Sequence, residues 1–236
     1  MRHLGIVVAT PAEVRSLTRQ LVPFARQVSL REDVSLYLSG VGQAPSRLGA
    51  ESLLKGGACA LLSWGSAGGL VSGIRPGSII LPKNVIAADQ TNYPVNLKWH
   101  ECLWSRLTGH LDLHSEPLAE SIQVLAYPEA KEILYTQTGA IAVDMESASV
   151  ASVARGAAVP FLAIRAIADS VDQAIPRAIQ SAFDGFGRLN SFRVIRGLAK
   201  HPGDVLPLVR LGFGFRAAHG SLAAVRRLTD GAFCAP

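Results

Sequence analysis

Three carboxylates in the sequence lie where an α/β protein could use them for acid–base chemistry. Glu13 follows the apolar segment LGIVVA, Glu146 lies in the segment AVDMESAS, and Asp169 follows the apolar segment VPFLAIRAIA. In open α/β sheets, ligands bind beyond the carboxyl ends of the strands, so acidic groups placed there can reach a substrate. A carboxyl group in such a place can donate or accept a proton, and a carboxylate can stabilise developing positive charge.

Each of these acidic segments also has a purely structural explanation. Thr10-Pro11-Ala12-Glu13 is a capping-box pattern with proline at the first helical position, so Glu13 either caps a helix or acts in a site. Asp144 can cap the helix that follows it, and this explanation is sufficient for Asp144. The dipole of the same helix would keep Glu146 ionised, which suits accepting hydrogen bonds from hydroxyl groups. An aspartate such as Asp169 at the end of a strand is often a turn former.

A segment of small residues, WGSAGGL at 64–70, follows the apolar segment CALLS and is predicted to form a turn. Its glycines would let the backbone approach a ligand closely, and Ser66 offers a hydroxyl group beside free backbone N–H groups. The segment matches neither a Walker loop nor the G-x-G-x-x-G fingerprint. Nucleoside-triphosphate and dinucleotide sites therefore lose their main support.

Apolar strand-like segments alternate with helical patterns along the chain. This alternation predicts a three-layer α/β/α fold with a central mixed, largely parallel sheet. Helices are predicted at 11–22, 45–55 and 144–155, and strands at 4–9, 34–40, 59–64, 78–82, 139–143 and 159–168.

Residues 89–120 are irregular and are predicted to form a long loop of the kind that is functional or mobile. The loop contains His110, His114 and Cys102, but their spacing does not give four ligands for zinc, so no metal site is predicted. The chain has three cysteines and no C-x-x-C pair, so a disulfide framework is not expected either.

The composition predicts a cytoplasmic protein, because no apolar run approaches the roughly 18 residues that a membrane span needs. The net charge of +5 is uneven, since eight Lys and Arg residues follow Gly185 against two aspartates. We predict a catalytic domain over 1–192 and a basic helical extension over 193–236 that packs on it.

Pro202 and Pro207 are expected to interrupt the extension, whose apolar side is formed by Val205, Leu208, Val209, Leu211 and Phe215. Solvated helix faces are the favoured explanation of its basic residues. A surface that contacts a membrane is the alternative, and no nucleic-acid partner is predicted.

The four motifs taken in order, GIVVATPAEV, GSAGGL, VDMESAS and RAIADSVD, resemble the nucleoside phosphorylase superfamily. The branch most similar is that of the 5′-methylthioadenosine/S-adenosylhomocysteine nucleosidases, and the resemblance covers about residues 3–175. It implies an enzyme that breaks the N-glycosidic bond of a purine nucleoside through an oxocarbenium-like transition state.

The resemblance implies a role for each acidic residue. Asp169 would protonate the purine, Glu146 would bind a ribose hydroxyl, and Glu13 would orient and deprotonate the attacking water. It further implies a homodimer and no cofactor or metal, with phosphate as a possible co-substrate. The substrate would be bound by Ala9, Val41, Ser66, Ala67, Gly68 and Met145.

Two departures from the family bear on the reaction. In the hexameric phosphorylases, arginines occupy the positions of Glu13 and Ser63, and a carboxylate beside a phosphate dianion is repulsive, so water is the favoured nucleophile here. The purine-lining S-G-D-x-F-I stretch of the nucleosidases is replaced by AESIQVL at 119–125, and Ala168 replaces their serine before the acid. Base specificity is therefore less firmly implied than the reaction class.

TGAIAVDMESA at 138–148, together with the basic extension, is similar to the hopanoid-associated phosphorylase group. That similarity implies release of adenine from adenosylhopane, a lipid-linked 5′-substituted adenosine, by a protein that touches the membrane at its periphery. Three alternatives stay open: a 5′-methylthioadenosine/S-adenosylhomocysteine nucleosidase, a non-catalytic nucleoside sensor, and a membrane or nucleic-acid binder that acts through the extension.

Overall fold

The computed structural model describes residues 3–176, 194, 196 and 202–236. These residues form one mixed sheet, which confirms the predicted α/β class. Its strand order is β2-β3-β1-β4-β10-β9-β6-β7, and β11 adds to β4 on the other side and continues through β5 to β8. The strands are β1 Leu4–Val8, β2 Gln27–Arg31, β3 Val34–Leu38, β4 Ala60–Gly69, β5 Ile79–Ile80, β6 Asn84–Ile86, β7 Asn92–Pro94, β8 Leu113–His114, β9 Leu118–Glu120, β10 Ala142–Asp144 and β11 Phe161–Asp169.

The central strands are parallel and buried on both faces. β1 pairs with β3 and β4 in parallel, and β4 pairs in parallel with β11. Every residue of β1, β3 and β11 is buried, although successive side chains point to opposite faces of the sheet. Both faces are therefore covered, as the three-layer prediction requires.

The helices are α1 Pro11–Leu17, α2 Gln43–Lys55, α3 Leu97–Leu107, α4 Pro128–Thr138, α5 Ser147–Gly156 and α6 Val205–Leu228. The prediction of a long loop over 89–120 was wrong, because α3 and three short strands lie there. Asn96 caps α3 by accepting a hydrogen bond from the Trp99 amide, and the buried side chains of Trp99, Leu103 and Leu107 anchor the helix to the core. The predicted helix at 11–22 is shorter than expected and ends at Leu17, where Thr18 takes an extended backbone.

The predicted turn at 64–70 was also wrong. β4 continues through this segment to Gly69, since its residues keep pairing with β11, and Gly68 and Gly69 pair with β10 as well. The small residues of this segment are strand residues, and their size leaves room for side chains from other elements to lie over the strand. The segment is therefore part of the sheet.

The pairing of β4 with β11 contains a β-bulge near its end. Ile167 pairs with Ala67, and the next paired residue, Asp169, pairs with Gly68. Ala168 is thus the extra residue of the bulge, which re-aims the side chain that follows it. Asp169 is the last residue of the strand.

The extension forms one long helix after a 3-10 turn at Pro202–Asp204. Pro207 was expected to interrupt it, but this proline lies in the first turn of α6, where backbone N–H groups have no helical partner to lose. α6 packs on β11 and α1 through Leu211, Gly214, Ala218, Leu222 and Val225.

The apolar side predicted for the extension is largely not the packed side, because of its members only Leu211 is buried there. The proposed domain boundary at 192 and 193 lies outside the described residues.

The cysteine prediction needs correction. Cys102 on α3 and Cys234 near the C-terminus form a disulfide with Cα atoms 6.2 Å apart, and Cys59 is free. The two cysteines are 132 residues apart in sequence, and only the fold brings them together, so their spacing in the sequence does not predict the bond.

The described residues contain no group of three or more His, Cys, Asp or Glu residues suited to a metal ion. None of the helices described is both long and apolar enough to cross a membrane.

Candidate active site

A single pocket at the carboxyl ends of β1, β4 and β11 brings the predicted site residues together. All nine of them line it, namely Glu13, Glu146, Asp169, Ala9, Val41, Ser66, Ala67, Gly68 and Met145. The neighbouring strands β4 and β11 supply Ser66, Ala67, Gly68 and Asp169. The loops and helices after β1, β3 and β10 supply the other five.

Glu13 uses its two carboxylate oxygens for two different tasks. Oε2 accepts hydrogen bonds from the backbone N–H and the hydroxyl of Thr10, both at 3.0 Å, and Thr10 accepts one from the Glu13 amide, which completes the capping box. Oε1 accepts hydrogen bonds from the backbone N–H and the hydroxyl of Ser66, at 2.8 and 2.7 Å. The Glu13 carboxylate therefore caps α1 with one oxygen and faces the pocket with the other, so the two explanations offered by the sequence are compatible.

A buried arginine that the sequence analysis did not select lies beneath the pocket. The Arg165 Nε lies 2.7 Å from Oδ2 of Asp144, and its Nη2 lies 3.6 Å from Oε2 of Glu146. Nη2 also donates hydrogen bonds to the hydroxyls of Ser63, at 2.7 Å, and Ser147, at 3.1 Å. Asp144 was predicted to cap the helix, but the N-cap residue of α5 is Glu146, and Asp144 ends β10. Asp144 still accepts hydrogen bonds from the Glu146 and Ser147 amides, and it balances this buried charge.

Glu146 is held at the start of α5 with one oxygen directed to the backbone of a neighbouring loop. Its Oε1 accepts a hydrogen bond of 2.9 Å from the Gly42 amide. Burial, with the nearby charges of Asp144 and Glu13, raises the pKa of Glu146 to about 7, although Arg165 opposes that rise. The raised pKa runs against the expectation that the helix dipole favours the ionised form of Glu146, because burial disfavours the charged form.

Asp169 is paired with a second buried cation that sequence reasoning missed. The Lys131 Nζ, from α4, lies 2.5 Å from Oδ2 of Asp169, and the lysine side chain is 1% exposed. Burial raises the pKa of Asp169, while the ammonium of Lys131 lowers it. The raised pKa of Asp169 agrees with the expectation for a buried strand end. The cation beside Asp169 was not expected.

Two glycines of β4 let these charged groups lie directly over the strand. A Cβ at Gly65 would lie 2.8 Å from Oε1 of Glu13 and would clash with the Arg165 guanidinium. A Cβ at Gly68 would lie 3.2 Å from Oδ2 of Asp169. Close approach of side chains, rather than turn geometry, is the reason for glycine at these positions.

Three residues in or next to the pocket were not predicted, and they differ in how far the sequence could have indicated them. Arg165 is a lone charge inside the apolar segment FLAIRAIA, and such a charge needs a buried partner. Lys131 lies among charged residues on α4, and nothing in that sequence pattern distinguishes it from an exposed lysine. Phe215 lines the pocket but lies far from the other lining residues in sequence. The segment AESIQVL, which departs from the family pattern, contributes Ser121, Gln123, Val124 and Leu125 to the same pocket.

Comparison with protein families identifies the group to which the chain belongs. The model of the phosphorylase superfamily matches residues 3–114 and 113–194. The chain belongs to this superfamily. The match spans all three acidic segments of the pocket and stops before α6.

Curated relatives of this chain are nucleosidases. The chain is 27% identical to the 5′-methylthioadenosine/S-adenosylhomocysteine nucleosidase of Baumannia cicadellinicola, over 72% of this chain and 86% of the relative. It is 26% identical to the enzyme of the same name from Buchnera aphidicola, over 72% and 79% of the two chains. The predicted superfamily, nucleosidase-like branch and enzyme class are thus confirmed at the level of the family.

Solved structures share the fold across the whole chain. A Helicobacter pylori nucleosidase variant with 5′-methylthioadenosine in its active site aligns with a TM-score of 0.73 at 18% identity, covering 98% of this chain and 99% of the other. The futalosine hydrolase of H. pylori aligns with a TM-score of 0.73 at 17% identity, covering 98% and 97%. Both alignments confirm the three-layer fold.

Proposed function

We propose that this superfamily member releases adenine from a 5′-substituted adenosine by hydrolysis of the N-glycosidic bond. The observation that carries the proposal is the convergence of Glu13, Glu146 and Asp169 on one pocket, where Glu13 accepts hydrogen bonds from the hydroxyl and amide of Ser66. The names of the curated relatives agree with this reaction class. Cleavage needs an acid for the leaving base, negative charge near the sugar and a base for the nucleophile, and the pocket offers one carboxyl group for each.

Asp169 is the general acid in this proposal. As the glycosidic C–N bond breaks, its electron pair passes to the purine, and a proton from Asp169 makes the departing base neutral. Burial raises the pKa of the Asp169 carboxyl and so brings it nearer to the protonated form that this step requires, although the ammonium of Lys131 opposes that rise.

Glu146 binds a ribose hydroxyl and stabilises the positive charge that develops on the sugar. Its Oε1 already accepts from the Gly42 amide, which fixes the carboxylate before the substrate arrives. Met145, half-buried in the same wall, supplies an apolar surface against the sugar.

Water is the better nucleophile for this pocket. Arg165 is compensated by Asp144 and Glu146, and Glu13 adds a further carboxylate beside Ser66. Among the described residues that line the pocket, the acidic side chains outnumber the basic ones, so a phosphate dianion would meet net repulsion. In this proposal Glu13, whose Oε1 accepts hydrogen bonds from Ser66, orients the water and takes its proton.

The substituent on the ribose 5′ carbon is the finer part of the proposal. Phe215 of α6 lines the pocket, and the same helix exposes Leu206, Val209 and Phe213, with relative exposures of 59%, 48% and 66%. Exposed Arg210 and Arg216 belong to the same helix. An apolar surface with cationic neighbours suits the interface of an anionic membrane, and it supports a lipid-linked substrate such as adenosylhopane.

The reaction is tested by adenine release from 5′-methylthioadenosine and from adenosylhopane, with and without phosphate. Asp169→Asn and Glu146→Gln should each reduce kcat by about 10²–10⁴-fold. Asp172→Asn and Glu132→Gln change exposed acids and serve as matched controls. Ribose 1-phosphate as product would refute hydrolysis, and full activity of both active-site variants would refute the assigned roles.

The membrane contact is tested by flotation with vesicles that contain anionic lipid. A Leu206→Ser/Phe213→Ser double variant should lose vesicle binding, whereas Ile133→Ser, at a site 58% exposed on α4, should keep it. Equal binding by all three proteins would remove this part of the proposal. Size-exclusion chromatography with light scattering tests the homodimer that the family resemblance implies.

A non-catalytic nucleoside sensor is the second candidate. It is favoured by the contact between Lys131 and Asp169, because a carboxylate paired with a cation is a poor proton donor. Tight binding of adenosine analogues without adenine release over hours would support the sensor. Multiple turnovers would exclude it.

A further inference from the structure

Lys131 is buried in the pocket wall although its neighbours on α4, Glu129 and Glu132, are exposed. Its Nζ donates three hydrogen bonds to the end of β11 and the loop that follows. The acceptors are Oδ2 of Asp169 at 2.5 Å, the carbonyl of Ser170 at 2.7 Å and the carbonyl of Gln173 at 3.3 Å. Every hydrogen of the ammonium therefore has a partner.

Removal of this charge from water is costly, and an apolar side chain at the same position would fix α4 without that cost. Lys131 also contacts the one acid to which the proposed reaction assigns proton donation. A purely structural explanation does not account for that choice of partner.

We propose that Lys131 and Asp169 share one transferable proton and work as a single acid, with Lys131 acting through Asp169 as its positioning and proton-supplying residue. This inference rests on the proposed function. In the empty pocket the proton resides on the lysine, and Asp169 is its carboxylate partner.

When a nucleoside fills the pocket and displaces water, the loss of hydration disfavours the charged forms of both groups, and the proton moves from Lys131 to Asp169. One N–H bond of the ammonium breaks and one O–H bond forms on Asp169. The carboxyl proton then passes to the purine as the C–N bond breaks and leaves its electron pair on the base. The attacking water gives one proton to Glu13 and its hydroxyl to the sugar carbon. When the products leave, Glu13 releases that proton to solvent and Lys131 takes one up from solvent, so the cycle balances.

The other charged groups near the pair have different partners or face solvent. Glu13 is bonded to Thr10 and Ser66, while Asp144 and Glu146 face Arg165. Asp172, in the loop after β11, is exposed, as are the two glutamates of α4 named above. Among the described residues, Lys131 is the charged side chain that contacts Asp169.

The test compares pH profiles of kcat/KM for the wild type, Lys131→Met and Lys131→Arg. Without the lysine, Asp169 alone must hold the proton, so Lys131→Met should stay within about fivefold of the wild type at pH 6 and fall about tenfold per pH unit once Asp169 ionises. Lys131→Arg should lose about 100-fold at every pH, because a guanidinium pairs with Asp169 but does not give up its proton. A wild-type profile for either variant would overturn the proposal, as would a uniform loss in Lys131→Met by a protein with unchanged thermal melting.

A second measurement does not depend on turnover. In protein labelled with ¹³C at aspartate carboxyl groups, the Asp169 resonance, assigned with Asp169→Asn, should titrate at higher pH in Lys131→Met than in the wild type. An unchanged titration would overturn the coupling whether or not the protein cleaves nucleosides. A shifted titration in a protein that releases no base would leave the pair intact, refute the proposed function and remove the catalytic part of this inference.

Discussion

The Arg165 Nε lies 2.7 Å from the Asp144 carboxylate, and both side chains are 1% exposed. The same guanidinium lies 3.6 Å from Glu146 and bonds to two serine hydroxyls, so it connects the strand β11 with the start of α5. Asp144, and through it the adjacent Glu146, owes its position to this contact. One buried cation therefore supports both the fold and the ribose end of the proposed site.

Arg165→Met should destabilise the protein by about 3–5 kcal/mol, because it leaves a buried carboxylate without its partner. Urea denaturation at pH 8 measures the change. Arg106→Met, at an exposed position on α3, is the matched control and should change stability by less than about 0.5 kcal/mol. Equal effects of the two substitutions would show that the Arg165 contact contributes nothing to folding.

The two tasks of Glu13 can be separated by two substitutions. Glu13→Gln should keep the capping box, in which glutamine is an accepted partner, but should lower kcat about 100-fold because an amide cannot take a proton. Glu13→Ala should show the same loss of activity and cost about 1 kcal/mol more in stability.

The measurements are adenine release and thermal melting of both variants. Ser105→Ala, at an exposed position on α3, controls for substitutions that remove a polar group. Wild-type activity in Glu13→Gln would mean that this carboxylate serves the helix and not the nucleophile.

Glu120 should make the folded state less stable as the pH rises. Burial, together with the charge of Asp144, raises the pKa of Glu120 from 4.5 to about 7. Between these values the native state holds a proton that the unfolded state has lost, so stability is full below the window and falls by about 1 kcal/mol per pH unit across it. Glu146, with a pKa also raised to about 7, contributes in the same direction.

Glu120→Gln should remove about half of the combined pH dependence that Glu120 and Glu146 give to the free energy of unfolding. Urea denaturation at pH 5, 6, 7 and 8 measures that dependence. The substitution keeps an oxygen that can accept the hydrogen bond from the Ser149 amide. Glu132→Gln, on the exposed side of α4, should leave the slope unchanged. A slope in Glu120→Gln as steep as in the wild type would assign the dependence to other groups.

The same raised pKa of Glu146 predicts a feature of activity. Because the ribose role needs the carboxylate, kcat/KM should rise as the pH increases towards about 7 and then level off. In Glu146→Gln, the residual activity should lack that acidic limb. An identical acidic limb in the variant would assign it to another group.

The sequence was sufficient for the parts of the site that depend on local patterns. The positions of Glu13, Glu146 and Asp169 after apolar segments predicted their place at the carboxyl edge of the sheet, and the order of the motifs predicted the family. The capping box at Thr10 and Glu13 was correctly read from four residues, since capping is a local interaction.

The parts that failed depend on contacts between distant segments. Lys131 meets Asp169 across 38 residues, and Arg165 meets Ser63 across 102, so neither partner is visible in the neighbourhood of the other. The glycines at 65 and 68 suggested a turn because the charged side chains that pass over them come from elsewhere. The sequence of residues 89–120 predicts a loop, whereas α3 forms there because Trp99, Leu103 and Leu107 pack against the core.

The bulge at Ala168 shifts the pairing of β11 with β4 by one residue immediately before Asp169. Side chains alternate between the two faces of a strand, so the extra residue decides on which face Asp169 emerges. If β11 paired with β4 without the bulge, Ala168 would lie opposite Gly68 and Asp169 opposite Gly69, and the carboxylate would emerge on the other face of the sheet. In this strand the pairing register, and not only the identity of the residues, is part of the specification of the candidate active site.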